Sequence, residues 1–299
     1  MAVAEELHFG RAAARLYISQ PSLSHQIRKF EETLGTPLFV RSSRQVQLTA
    51  AGRTLAHEAP AALAALERAV EVTRLAGSGK APTIRLGYTP VASFGTLTAL
   101  LEAIQEDHPD LTIDAHEFFS AEIPERLHAG DLDIGIALSP PTPEGVTGEL
   151  VRADRVSAIL GTRHRLAAAA VIPVTDLRDE TLLLFPRRLA PAYYDGIVTA
   201  CHQAGFTPHL STFEEPPVNA MLSRLASGRE VGLAPASFAE PAAKAGIGVT
   251  HRDIIAPIII AEFSVLWAPT DPSPAIAGVI ATTRRYAKRN GWLGTTSPR

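Results

Sequence analysis

One stretch near the N-terminus constrains this chain more than any other: Ala12-Ala13-Ala14-Arg15-Leu16-Tyr17-Ile18-Ser19-Gln20-Pro21-Ser22-Leu23-Ser24. The run of alanines makes a helix that another helix can approach closely, and Leu16 and Ile18 read as the apolar residues of a turn. Ser19 is a favoured N-cap, because its hydroxyl accepts a backbone N–H that the first helical turn leaves unbonded. Pro21 is tolerated in that turn, where its missing N–H removes no hydrogen bond. Leu23, Ile27, Phe30 and Leu34 then recur at helical spacing on one inward face, and Gly35 stops the helix. Residues 2–35 therefore read as helix, turn, helix.

The remaining face of the second helix carries Ser19, Gln20, Ser22, Ser24, His25, Arg28 and Lys29. Short hydrogen-bonding groups lie near its start and positive charges further along. A helix entering the major groove of double-stranded DNA needs this order: polar groups at the N-terminus reach base edges, while the helix end and the cations hold phosphates. An ordinary amphipathic surface helix has the same pattern, so the helix alone leaves both readings open. The next segment favours DNA. Leu38–Arg41 and Val46–Leu48 flank Ser42-Ser43-Arg44-Gln45, a small hairpin with arginines at its tip. Singly, Arg41 and Arg44 read as solvated charges. Beside a helix-turn-helix, the hairpin is a wing whose tip arginines reach phosphate or the minor groove.

Charge is distributed accordingly. The formal net charge is -3, but residues 1–53 hold seven Arg/Lys against four Asp/Glu, whereas the remainder holds 21 against 27. A basic end on an acidic body suits a DNA-reading module joined to something else. Downstream, Thr49 can cap an alanine-rich helix over 50–75 whose apolar stripe is Leu55, Ala59, Leu63, Leu66 and Val70, with Arg53, Glu58, Glu67, Arg68 and Arg74 opposite. A long helix with a narrow apolar seam pairs with a copy of itself or packs on its own chain. Pro60 predicts a kink or break. Residues 76–82 read as a flexible break.

From Thr83 onward strands and helices alternate, the pattern of an α/β domain. The expected order is a βαβαβ lobe, then a second lobe with strands at 157–161, 182–186 and 231–235 and helices at 193–204 and 218–227. A return strand at 262–268 and a helix at 273–290 complete the first lobe. The chain thus crosses between lobes near residues 160 and 262. A cleft between two such lobes, lined by strand ends and helix N-termini, is a natural ligand site. Its lining loops are Thr89–Ser93, Phe118–Ser120, Leu138–Ser139 and Arg187–Tyr194, which makes Thr89 and Ser93 candidate ligand contacts.

The string A-A-x-x-L-x-x-S-Q-P-S-L-S-x-x-I, followed by E-x-x-L-G-x-x-L-F-x-R and L-T-x-A-G, resembles the LysR-type transcriptional regulators over Glu5–Gly52. The resemblance implies a sequence-specific, DNA-binding transcription regulator. Its DNA-binding domain would cover 1–53, its linker helix 49–76 and its two-lobed α/β effector domain 82–299, with lobe I at 82–159 and 263–290 and lobe II at 160–262. The effector domain would resemble periplasmic binding proteins. The resemblance also implies a homotetramer, usually a dimer of dimers, with RNA polymerase as a further partner. Ser19, Gln20, Pro21, Ser22 and Ser24 fall at operator-contacting positions. Phe30 stands where the family has Leu, and His25 where Gln or Arg is frequent. Members carry further residues ahead of the segment matching Ala2–Glu6, so a native start upstream of Met1 is expected.

The segment F-P-R-R-L-A-P-A-Y-Y-D resembles the second-lobe loop of members that respond to aromatic-catabolism intermediates such as muconate, which places Ser120, Pro191 and Tyr193 at effector-contacting positions. Two positions depart from that subgroup. Val91 replaces a serine, and Leu138 replaces an arginine that would hold a carboxylate. Arg187 or Arg188 would restore the charge only by pointing inward, and surface exposure is the expectation for both. The expected effector is a small aromatic or monocarboxylate molecule rather than a dicarboxylate.

Other classes find little support. No G-x-S-x-G, H-E-x-x-H, Walker or complete G-x-G-x-x-G motif appears, so no enzyme is expected. His202, His209 and His251 lack metal-ligand spacing, and neither metal nor cofactor is expected. Cys201, the single cysteine, reads as a buried filler. Without a signal-peptide pattern or an apolar run near the roughly 18 residues of a membrane span, the sequence reads as cytoplasmic, which also counts against an exported solute-binding protein.

Overall fold

The protein was analysed as a computed structural model that describes residues 1–41, 45–78, 82–141, 145–213, 218–268 and 272–294. It divides into two compact units, Met1–Arg74 and Leu75–Arg299.

The first unit contains α1 (Ala2–Glu6), α2 (Phe9–Arg15), α3 (Gln20–Leu34), β1 (Phe39–Arg41) and β2 (Val46–Leu48), followed by α4 (Ala50–Ser78). α1 and α2 are separate helices, because Leu7 turns left-handed (φ 47°) and His8 caps α2, its Nδ1 accepting the N–H groups of Gly10 and Arg11 at 3.1 Å. Ser19 caps α3 as expected, its Oγ accepting Ser22 N–H at 3.3 Å, and Gly35 closes it at φ 69°. The small core is Val3, Phe9, Ala12, Ala13 and Leu23. The Phe9 ring meets Phe39 edge-on at 5.8 Å.

The inward apolar face expected for α3 is only partly inward. Leu23 is 4% exposed, but Phe30 and Leu34 are each 44% exposed and the turn residue Leu16 is 46% exposed. For Leu16 and Phe30 the reason is an apolar groove of about 460 Å³ bounded by α1, α3 and α4, with Leu16, Ile27, Phe30 and Leu63 among its lining residues. Those side chains face the groove instead of a filled core.

Polar bonds fix the hairpin on α3. Glu31 Oε1 accepts the N–H groups of Leu38 and Phe39 at 2.8 and 3.1 Å, tying the start of β1 to the helix. β1 and β2 pair antiparallel, with Phe39 opposite Leu48 and Arg41 opposite Val46. Thr49 Oγ1 accepts Gly52 N–H at 2.9 Å, so Thr49 caps α4 as expected, and its hydroxyl donates to Pro37 O at 2.7 Å. α4 runs from Ala50 through Pro60 to Ser78, so of the kink or break expected at Pro60 there is no break, and the helix extends into the stretch read as flexible from 76. Pro60 removes one donor, that for the Ala56 carbonyl. The surrounding alanines have the highest helix propensity and carry the helix across the gap. Leu63, Leu66 and Val70 of the expected seam are exposed.

In the second unit, lobe I holds β3 (Thr83–Tyr88), α5 (Thr98–Asp107), β4 (Thr112–Glu117), α6 (Glu122–His128), β5 (Ile134–Leu138) and the first part of β6 (Thr147–Gly161). Lobe II holds β7 (Val171–Pro173), β8 (Thr181–Leu184), α7 (Pro191–Gln203), β9 (His209–Thr212), α8 (Val218–Ala226), β10 (Val231–Pro235), α9 (Ala236–Lys244) and β11 (Val249–Ile255). β12 (Ile260–Trp267) and α10 (Pro274–Arg289) return to lobe I. The sheet order is β4-β3-β5-β12-β6-β10-β8-β9, with β11 paired to both β6 and β7. β6 belongs to both lobes. Thr147–Arg155 pair with β12, and Val156–Leu160 pair with β10. The lobe switch therefore falls between Arg155 and Val156 rather than near 160, and the second crossing lies between Ile255 and Ile260 rather than near 262. Lobe II also contains β7, β9, α9 and β11, which the sequence reading did not identify. Cys201 is fully buried as expected, and burial pushes its thiol up to about 11.

Gly52 shows how tightly α4 meets the hairpin, since a Cβ there would overlap the carbonyl oxygen of Leu38. Gly52→Ala is expected to destabilise the first unit by about 1–3 kcal/mol through overpacking. Chemical denaturation followed by circular dichroism checks this, and an unchanged midpoint would show that α4 can shift freely.

Candidate nucleic-acid interface and effector cleft

The N-terminal half of α3 offers a polar surface. Ser19, Gln20, Pro21, Ser22, His25 and Arg28 are exposed, and Ser24 is half-buried. The N-cap holds the Ser19 hydroxyl on Ser22 N–H, so Gln20 and Ser22 stand at the helix mouth with the partial positive charge of the N-terminus behind them. Arg28 Nε donates to Ser24 O at 3.3 Å, which lays its guanidinium along the helix. Tyr17, in the turn at φ 56°, is 96% exposed beside this face, and sequence reasoning did not single it out. Arg41 ends β1 opposite Val46, so the expected hairpin is present. The wing-tip Arg44 lies outside the described residues.

The second surface is the junction between the lobes. β3 delivers Thr89, which is 2% exposed and whose Oγ1 has no hydrogen-bond partner among the described residues. Pro90–Ala92 form a 3-10 turn and Ser93–Leu97 a π-helical turn, with Ser93 Oγ donating to Pro90 O at 2.6 Å. Ser120 is buried after β4. Pro191 opens α7 half-buried. Tyr193 is buried, and its hydroxyl donates to Leu233 O at 3.0 Å; burial, reinforced by the Asp154 carboxylate, raises its pKa. Val91 from lobe I and Leu184, Phe185, Tyr193, Tyr194 and Met221 from lobe II line one apolar pocket. Its free space is only about 20 Å³, enough for roughly one water-sized group.

Two aromatic pairs hold the lobes together across this junction. Phe119 meets Phe185 at 5.9 Å and Phe94 meets Phe238 at 5.2 Å, both edge to face. Ala121 N–H donates to Leu189 O at 3.2 Å, and Gly95 packs so closely on Ser237 that a Cβ would overlap its carbonyl oxygen. The apolar pocket is closed in this conformation, and a ligand larger than a water enters it only if its walls move. Leu138 is buried, and Arg187 and Arg188 are both exposed, as expected. Arg187 is held by Asp195 through two bonds of 2.7 Å.

Sequence reasoning missed Arg152 and Asp154. Both lie on β6 before the lobe switch, where Arg152 stacks over Trp292 at 4.5 Å and approaches Asp154 at 3.5 Å. The period-two order Val151-Arg152-Ala153-Asp154 is a strand signal that would have extended β6 and exposed this pair.

A winged helix-turn-helix with a polar N-terminal recognition face, followed by a two-lobed α/β domain with a cleft at its crossing strands, defines a ligand-controlled DNA-binding transcription regulator. The chain belongs to the LysR family. Residues 1–53 match the family described as "Bacterial regulatory helix-turn-helix protein, lysR family", and residues 77–288 match "LysR substrate binding domain". Among similar proteins, the HTH-type transcriptional regulator IlvR of Caulobacter vibrioides is 32% identical over 282 residues, covering 93% of each chain. TfdS of Cupriavidus pinatubonensis is 34% identical over 239 residues, covering 80% of this chain and 81% of the relative. Full-length CbnR, solved in complex with its target DNA, superposes with a TM-score of 0.65 at 25% identity over 95% of this chain and 96% of its own. Full-length BenM does so with a TM-score of 0.60 at 26% identity over 100% and 97%. These relatives are regulators, and the chain is a regulator, not an enzyme. Among the described residues no helix is long and apolar enough to cross a membrane.

Tyr193→Phe removes one buried hydrogen bond and leaves Leu233 O without its donor. The expected cost is about 1–3 kcal/mol, read as a lower thermal midpoint for the second unit. An unchanged midpoint would show that the Tyr193 hydroxyl does not anchor α7 to β10.

Proposed function

We propose that α3 reads operator DNA through Ser19, Gln20, Pro21, Ser22, Ser24 and His25, while Arg28, Arg41 and Arg44 hold phosphates. The observation that carries this reading is the exposed polar N-terminal turn of α3, fixed by the Ser19 cap. Residues 1–53 serve as the DNA-binding domain, 49–76 as the dimerisation helix and 82–299 as the effector domain. The exposed Leu63, Leu66 and Val70 on α4 support self-association, extended to a dimer of dimers in a homotetramer. Thr89, Ser93, Ser120, Pro191 and Tyr193 surround an effector at the lobe junction. The apolar wall beneath α7 supports a small aromatic body, in keeping with the resemblance of Phe185–Asp195 to aromatic-responsive members. Effector binding shifts an existing equilibrium between quaternary arrangements, and the regulator acts in the cytoplasm through contact with RNA polymerase.

Binding to the promoter region of its own gene tests this reading. Gln20→Ala should weaken specific binding by about 1–3 kcal/mol and relax sequence preference. An equal loss on random duplex would rule out base readout. Arg44→Ala should weaken binding to both DNAs and reduce the salt slope by about one phosphate contact; an unchanged slope would remove Arg44 from the phosphate contacts.

A further inference from the structure

The turn that joins α2 to α3 carries a side chain whose cost the chain itself does not offset. Ile18 N–H donates to Ala13 O at 3.1 Å and Tyr17 N–H donates to Ala14 O at 3.2 Å, so α2 closes with Tyr17 in the left-handed conformation, φ 56°. The same pair of bonds closes α3, α6, α7 and α10, where the left-handed residues are Gly35, Gly130, Gly205 and Gly291. Glycine suits that position because it has no Cβ to crowd the backbone at positive φ. At the end of α2 a bulky aromatic residue takes its place, in a conformation that costs free energy for any side chain of that size.

Packing does not balance that cost. Tyr17 is 96% exposed, whereas no other exposed large apolar or aromatic side chain among the described residues exceeds 62%. Among the same residues its hydroxyl has no hydrogen-bond partner. Tyr17 precedes Ser19, the N-cap of α3, by two residues, which puts its Cα within roughly 7–8 Å of the Cα of the cap. The N-terminus of a helix attracts phosphate. The neighbouring cations of α2 are engaged within the chain, Arg11 with Glu6 and Arg15 with Glu5. The phenol is not.

We propose that Tyr17 is a DNA-backbone contact: its hydroxyl donates to a phosphate held at the N-terminus of α3, and its ring lies on the adjoining deoxyribose. The contact positions α3 in the groove without reading bases, since phosphate and sugar carry no direct sequence information. A neutral donor neutralises no phosphate and releases no counterion, so it adds affinity without adding to the salt dependence, unlike an arginine. The proposal rests on reading α3 as the recognition helix.

Binding of the full chain to its promoter region and to random duplex of equal length, followed by fluorescence anisotropy over a range of salt, tests it. Tyr17→Gly gives the turn the residue that closes the other helices, so the thermal midpoint should not fall. Affinity for both duplexes should drop about tenfold with an unchanged salt slope. Tyr17→Phe keeps the ring and loses the hydroxyl, and it should weaken binding to both duplexes about fivefold. Wild-type affinity in either variant, a loss confined to the promoter, or a reduced salt slope overturns the contact. A lowered midpoint in Tyr17→Gly also overturns it, because the side chain would then be holding the turn. Gln20→Ala in the same assay separates the two readings. If it weakens promoter binding while the Tyr17 variants do not, only the Tyr17 contact falls; if it too has no effect, the assignment of α3 as the recognition helix falls with it.

Discussion

The effector domain depends on the backbone hydrogen bonding of a single strand. β6 is 15 residues long and changes partners midway, pairing with β12 up to Arg155 and with β10 from Val156. Both lobes are thereby built on one continuous ladder, so relative motion between them must be absorbed near the switch. Arg152 and Asp154 sit immediately before it, and the aromatic pairs Phe119–Phe185 and Phe94–Phe238 close the junction from either lobe. A ligand that parts the lobes works against edge-to-face contacts worth about 0.5–1.5 kcal/mol each. Opposing terms of that size leave an equilibrium that a modest ligand affinity can bias.

The DNA-binding unit is held differently. Its core is small, and much of its definition comes from directed polar bonds: His8 and Ser19 capping α2 and α3, Glu31 receiving two N–H groups of β1, and Thr49 bonding both to Pro37 O and to Gly52 N–H. Such bonds fix orientation more sharply than apolar contact does, which suits a unit whose recognition helix and hairpin must keep a set spacing. The apolar groove beside α3 marks where hydrophobic packing is incomplete within the single chain.

Electrostatics separates the two units. The first is relatively rich in basic groups, and its recognition face presents them to solvent. In the second, Arg152 is paired with Asp154 and Arg187 with Asp195. A surface that meets a polyanion needs uncompensated positive charge.

Much of this was written in local sequence. The Ser19 cap, Gly35, the Leu38–Leu48 hairpin, the Thr49 cap and most strands and helices of the α/β unit follow from short-range propensities and periodicity, which depend only on neighbouring residues. The motif from Ala12 to Gly52 was sufficient to place the chain in its family. Three features needed the folded chain. α4 crosses Pro60 because the gain from its alanine-rich flanks outweighs one missing donor. Phe30 remains half-exposed because the elements opposite it do not fill the groove. Arg152 and Asp154 converge with Ser237 only when a strand and a helix 83 residues apart in the chain are packed together. Sequence determined the elements and the DNA-reading face, since those are local. Tertiary structure decided which charges are satisfied at the lobe junction, because that depends on distances between segments no local pattern encodes.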